Sequence, residues 1–167
     1  MLKNHEGLIS GPDADRVHQQ GTFGELKGGK LTLSDVEILF LLDKEKISLL
    51  DEEGVVWSFP KFVEDISKVD NQVWLRYLLY SDLRKRGYTV KPGYGPRLEY
   101  RVYERGASVG KEPAKYLVYG LVEGEMIAIN DLTSISSSAR LSKKDLILAV
   151  IDRQGEITYY DTSEVTL

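Results

Sequence analysis

The apolar positions of this chain fall in short blocks whose period changes along its length. Residues 1–31 carry only brief apolar pieces such as Leu8-Ile9 among Gly21, Gly24, Gly28 and Gly29, which predicts short strands and turns with little regular structure. Ser34 and Glu37 then make a capping box around Val36 and ahead of Ile38 to Leu42, predicting a helix that ends near Lys44. Ile47 to Leu50 and Val55 to Phe59 are rich in β-formers and flank the acidic turn Asp51-Glu52-Glu53-Gly54, so a hairpin and a strand followed by a loop fit equally. Pro60 closes that segment. The polar stretch Glu64 to Asn71 is the expected boundary between an N-terminal domain, 1–68, and a C-terminal domain, 69–167.

The second half opens with a helix from about Asp70 to Arg86, where Val73, Trp74, Tyr77, Leu78 and Ser81 keep helical spacing and Gly87 stands as the C-cap. Arg84-Lys85-Arg86 complements that helix's dipole. Tyr88 to Val90 begins a strand, and Pro92-Gly93-Tyr94-Gly95-Pro96 reads as a turn. Leu98 to Tyr103 alternates, with Leu98, Tyr100 and Val102 on one face and Glu99, Arg101 and Tyr103 on the other, so Tyr103 is expected to face away from the core. Tyr116 to Val122 and Leu146 to Ile151 are apolar on both faces, as in central strands covered on two sides. A helix capped by Asn130 or Asp131 fits between them, and Glu156 to Tyr160 supplies a last strand. The class is α/β (α+β): a small N-terminal α/β domain, then a mixed sheet flanked by helices. No internal repeat is present.

Composition narrows the chemistry. Lys and Arg total 22 against 26 Asp and Glu, a net charge of -4, so no global positive field drives binding to a phosphate backbone. Any RNA contact comes from a local patch or a partner. The absence of cysteine excludes disulfides, thiolate metal sites and thiol nucleophiles, and two histidines argue against a zinc site. No apolar run is long enough to span a bilayer and no signal-peptide pattern opens the chain, so a cytoplasmic location is expected.

One set of segments is specific. Tyr80-Ser81-Asp82-Leu83-Arg84-Lys85-Arg86-Gly87-Tyr88, Val90-Lys91 and Arg101-Val102-Tyr103-Glu104-Arg105-Gly106 together resemble the archaeal-type tRNA-splicing endonuclease family. So do Gly21-Thr22-Phe23-Gly24 and Leu31-Thr32-Leu33-Ser34 upstream, and Lys115-Tyr116-Leu117-Val118 and Lys143 to Asp152 downstream. The resemblance covers nearly the whole chain and implies a restriction-endonuclease-like C-terminal domain. The family cuts pre-tRNA at exon-intron junctions by attack of the ribose 2'-hydroxyl on the adjacent phosphate, leaving a 2',3'-cyclic phosphate and a 5'-hydroxyl without metal or cofactor. That chemistry needs a base, an acid for the leaving oxygen and a cation beside the phosphorane, which the family supplies as Tyr, His and Lys.

Carried onto this chain, the tyrosine falls on Tyr103 and the lysine on Lys144, with Lys143 beside it; the histidine position, immediately before Lys115-Tyr116-Leu117-Val118, holds Ala114. A methyl group donates no proton. The only histidines are His5 and His18, and where the family carries an RNA-gripping arginine seven residues before the lysine, Ser137 stands here. Taken without the resemblance, Lys144 reads as a solvated or capping residue and Tyr103 as an edge-packing ring.

The resemblance therefore implies a structural subunit, held in a heterotetramer of two plus two with a histidine-bearing catalytic subunit, the complex binding pre-tRNA. Two features fit its assembly contacts. Glu123-Gly124-Glu125 sits where the family inserts an acidic loop into a partner's basic pocket, although by itself it reads as a solvated hairpin turn. The terminal strand, with Ile157 and Tyr159, corresponds to one that pairs edge to edge with a partner. The alternatives are a catalytic chain, either inactivated by a His-to-Ala change at Ala114 or using an unrecognised acid, and an RNA-binding or protein-interaction module that kept the fold and lost the complex.

Overall fold

The computed structural model describes residues 6–95 and 98–163; His5 and Pro96 lie outside the described residues. The chain forms two compact units that divide between Tyr77 and Leu78. The first contains β1 (Gly7–Ser10), α1 (Pro12–Gln19), β2 (Glu25–Lys27), β3 (Lys30–Leu33), α2 (Asp35–Asp43), β4 (Leu49–Leu50), β5 (Val56–Trp57), α3 (Phe59–Ser67) and the start of α4 (Val73–Lys85). Its sheet runs β1-β3-β2, all antiparallel.

Two helices here were not expected. α1 has Pro12 in its first turn, Asp13 and Asp15 beside the positive end of its dipole, and only Ala14 and Val17 buried, too few apolar positions to reveal a period. α3 takes in the first part of the polar stretch, to Ser67: Ser58 Oγ accepts from Lys61 N at 3.4 Å, and Phe62 and Ile66, four residues apart, are its buried face. Pro60 opens this helix rather than closing a strand, because its missing N–H costs nothing in a first turn. β4 and β5 do pair as a hairpin.

The capping-box helix is present as α2, ending at Lys44. Glu37 is 3% exposed, and its carboxylate accepts from Gly24 N at 2.8 Å and from Ser34 N and Oγ at 3.0 Å each. Gly24 has φ +62, and a Cβ there would collide with the Thr32 carbonyl oxygen, so only glycine brings this backbone N–H to the buried charge.

The second unit completes α4 and adds β6 (Thr89–Gly95), β7 (Leu98–Tyr103), β8 (Tyr116–Val122), α5 (Ile129–Leu141), β9 (Asp145–Ile151) and β10 (Ile157–Thr162). The sheet order is β10-β9-β8-β7-β6; β8 and β9 are parallel and every other pair is antiparallel. α5 is the crossover between the parallel strands. It packs Ala139, Leu132 and Ile135 with Leu117, Tyr119, Leu121 and Leu146 on one face of the sheet. On the other face α4 contributes Tyr80, whose ring lies 5.7 Å from that of Tyr100, and Asp82, which accepts from Tyr159 Oη at 2.7 Å. α4 ends at Gly87, φ +88, with Tyr88 N donating to Leu83 O.

Four details differ from the sequence reading. β6 runs on through Pro92 to Gly95 instead of turning at Pro92, and its register slips so that Gly93 and Tyr94 oppose the single Glu99. β7 in turn bulges at Glu99 against β8, which sends Leu98 to the α5 face while Tyr100 and Val102 keep the α4 face; the strict alternation fails at its first residue. Ala128 is the N-cap of α5, with Asn130 and Asp131 already inside the first turn. Glu123-Gly124-Glu125 leads from β8 into α5 and is not a hairpin turn.

Candidate functional site

Because β8 and β9 run parallel, both begin at one end of the sheet, and antiparallel β7 ends there. Val102 pairs with Tyr116, and Tyr116 with Asp145. Lys115 N donates to Val102 O at 3.0 Å, and Asp145 N donates to Lys115 O at 2.9 Å. Tyr103, Ala114 and Lys144 each lie one residue from this ladder, so the fold brings the backbones of three positions far apart in sequence to neighbouring strand ends.

Their side chains differ from expectation in one respect. Tyr103 is 7% exposed and not solvent-facing: its face of the sheet is not a free surface, so turning away from α4 does not turn the ring into water. Ala114 is 4% exposed, whereas its neighbour Pro113 is open to solvent. Lys144 is half-buried, and its Nζ donates to Ser142 O at 2.9 Å. Lys143 takes the left-handed conformation, φ +53, between α5 and β9 and is exposed. Exposed Lys115 pairs with Glu104 at 2.6 Å, and that bond holds its ammonium well above the usual range.

One neighbour escaped the sequence reading. Tyr94, taken as part of a turn, is a strand residue 53% exposed, and the cations of Arg101 and Lys144 stand 5.1 and 5.5 Å from its ring centroid. Burial would raise this phenol, but hydrogen bonding and positive charge from Arg101 and Lys144 outweigh it and hold it below its ordinary value. The alternation had placed Arg101 beside Tyr103; nothing in the sequence marked Tyr94 as its companion.

The remaining sequence candidates lie elsewhere. Ser137 is half-buried on α5. His18 belongs to the first unit, where Nδ1 shares a 2.7 Å hydrogen bond with Phe23 O, and the second unit contains no histidine. Glu123 and Glu125 are exposed; Glu123 N donates to Ile151 O, and Glu125 Oε2 accepts from Val122 N. Ile157 and Tyr159 are half-buried on edge strand β10, Tyr159 bonded to Asp82 with the Arg86 guanidinium 5.3 Å from its ring. A groove of about 340 Å³, lined by Leu83, Arg86, Tyr88, Arg105 and Tyr159 among others, opens on this α4-covered face and not where Arg101 and Lys144 meet. Among the described residues no group of three or more His, Asp or Glu could hold a metal ion, and no helix is long and apolar enough to cross a membrane.

A small α/β unit thus precedes a five-stranded mixed sheet in which Tyr103, at the end of β7, and Lys144, just before β9, lie at the same end with β8 between them. The tRNA intron endonuclease N-terminal domain matches residues 1–63 and the tRNA intron endonuclease catalytic C-terminal domain matches residues 73–159. The chain belongs to the tRNA intron endonuclease family. It is 38% identical to the tRNA-splicing endonuclease of Pyrococcus furiosus over 146 residues, 87% of this chain and 83% of that protein. It is 34% identical to that of Methanococcus vannielii, over 87% of this chain and 81% of that protein. The 35% match to the tRNA-splicing endonuclease of Methanosarcina barkeri takes in 96% of this chain but only 45% of that longer protein.

Proposed function

We propose that this chain is the structural, non-cleaving subunit of a tRNA-splicing endonuclease and that a histidine-bearing partner subunit performs the cut on pre-tRNA. The observation that carries this reading is that the second unit, which holds Tyr103 and Lys144, has no histidine in any register. In the family reaction the ribose 2'-hydroxyl loses a proton to a base, its oxygen bonds to the adjacent phosphorus, and the 5'-oxygen leaves with a proton from an acid. Tyr103 corresponds to the base and Lys144 to the cation. Without the acid the 5'-oxygen departs as an alkoxide, a deficit of about 10²- to 10⁴-fold in rate.

The subunit's role is then assembly. The exposed acidic turn at Glu123 and Glu125 suits a basic pocket on a partner, and among the described residues β10 has one edge unpaired in its own sheet, with Tyr160 53% exposed, an edge suited to pairing with another chain in a heterotetramer. The test is cleavage of an intron-containing pre-tRNA by this chain alone, by the Pro113→His and Ala114→His variants, and by a mixture with a histidine-bearing subunit. Both positions are needed, because buried Ala114 leaves little room for an imidazole and exposed Pro113 is the open position beside it. Activity only in the mixture is expected. Cleavage by the unmodified chain alone sinks the reading, and activity restored by either variant alone identifies an inactivated nuclease chain.

A further inference from the structure

We propose that Tyr94 is a built-in plug: it occupies the cation pair Arg101 and Lys144 and competes there with an RNA phosphate, so that this chain holds RNA weakly at the corner where it retains the lysine. The inference rests on the non-cleaving reading for its meaning, since a corner that does not cut gains nothing by gripping substrate.

The geometry is specific. The slip in register between β6 and β7 sets two residues, Gly93 and Tyr94, against one, and a bulge of this kind re-aims a side chain. Gly93 makes that close approach available, because a Cβ there would overlap the Leu98 carbonyl oxygen. Both cations are already oriented by backbone: Arg101 Nε donates to Pro92 O at 2.8 Å and Lys144 Nζ to Ser142 O at 2.9 Å. Each lies within about 6 Å of the Tyr94 ring centroid, where a cation is attracted to the π face. Among the described residues neither forms an ion pair with a carboxylate. Two preoriented cations with no acidic partner among the described residues suit a phosphate, and the group turned onto them there is a phenol rather than a carboxylate. The depression of the Tyr94 phenol is what that placement produces.

The test measures binding of a fluorescent single-stranded oligoribonucleotide to the full chain by anisotropy across a salt series, for wild type, Tyr94→Phe, Tyr94→Ala, and Tyr94→Ala combined with Lys144→Gln. Replacing the 2'-hydroxyls by hydrogen in a parallel probe removes any cleavage. The binding result therefore stands even if the chain proves able to cut and the non-cleaving reading falls. Tyr94→Ala should tighten binding roughly three- to ten-fold, with the salt dependence steeper by about 0.7 in log-log slope, the value of one added phosphate contact on a single strand, and Tyr94→Phe, which keeps the ring but loses the hydroxyl, should tighten it by less. Adding Lys144→Gln should remove the gain. Unchanged affinity overturns the plug, and so does weaker binding, which would make Tyr94 a stacking platform instead.

Discussion

Glu37 and the Tyr94 corner are two polar clusters built to opposite ends. In the first unit one carboxylate is almost wholly enclosed, with three hydrogen bonds converging on it from Gly24 and Ser34. The hairpin backbone and the helix start both depend on that single acceptor, so the charge is part of the fold. In the second unit Arg101 donates to the Pro92 carbonyl within β6 and Lys144 to the Ser142 carbonyl at the end of α5, and the two meet around a half-exposed ring. The fold positions them but does not need them. A buried charge satisfied on every side belongs to stability; charges oriented by backbone and left beside solvent are available for a ligand.

Glu37→Ala should break this contrast most severely. Stranding the buried Gly24 N–H and the part-buried N–H and hydroxyl of Ser34 should lower stability by about 3 kcal/mol, read as a fall in the urea midpoint of the full chain. A loss below about 1 kcal/mol would mean that the cluster is ornamental. Tyr159→Phe is the intermediate case, removing one part-buried hydrogen bond to Asp82 at a cost of about 1 kcal/mol. Burial, the hydrogen bond to Asp82 and its negative charge raise the Tyr159 phenol well above its ordinary value near 10. The folded state therefore keeps the proton more tightly than the unfolded chain. That stabilisation is complete below about pH 10 and is lost as pH rises beyond it, so thermal melts of wild type should fall above pH 10 more steeply than those of Tyr159→Phe.

Charge reversal at Glu123 and Glu125 is expected to be the mildest change to the fold, within about 0.5 kcal/mol, since both are exposed. Its effect belongs to assembly. Sedimentation of the variant with a histidine-bearing subunit should show loss of the proposed tetramer while the melting temperature stays put, and an unaltered assembly would remove the acidic turn from the proposed interface.

Much of this was legible from the chain alone. The capping box at Ser34 and Glu37, the Gly87 stop and the doubly apolar runs of β8 and β9 are local signals: each is a residue type fixed by a nearby backbone need or by burial on both faces. Tyr103 and Lys144 stand out only by resemblance, and the lack of histidine in the second unit by counting. α1 and α3 were missed because two buried residues apiece make no period, and because Pro60 reads the same before a turn as at a helix start. Tyr103's burial was missed because alternation tells which face a residue takes, not what covers that face.

The sequence by itself determined the family, the class and order of the main elements in each half, and the lack of histidine in the second unit, because composition and short-range pattern carry that information. Only the tertiary structure decided that Tyr94 meets Arg101 and Lys144. That meeting depends on one bulge between β6 and β7 and on a parallel crossover that carries residue 144 back to the end of β7, and both are properties of strand pairing, which no single segment encodes.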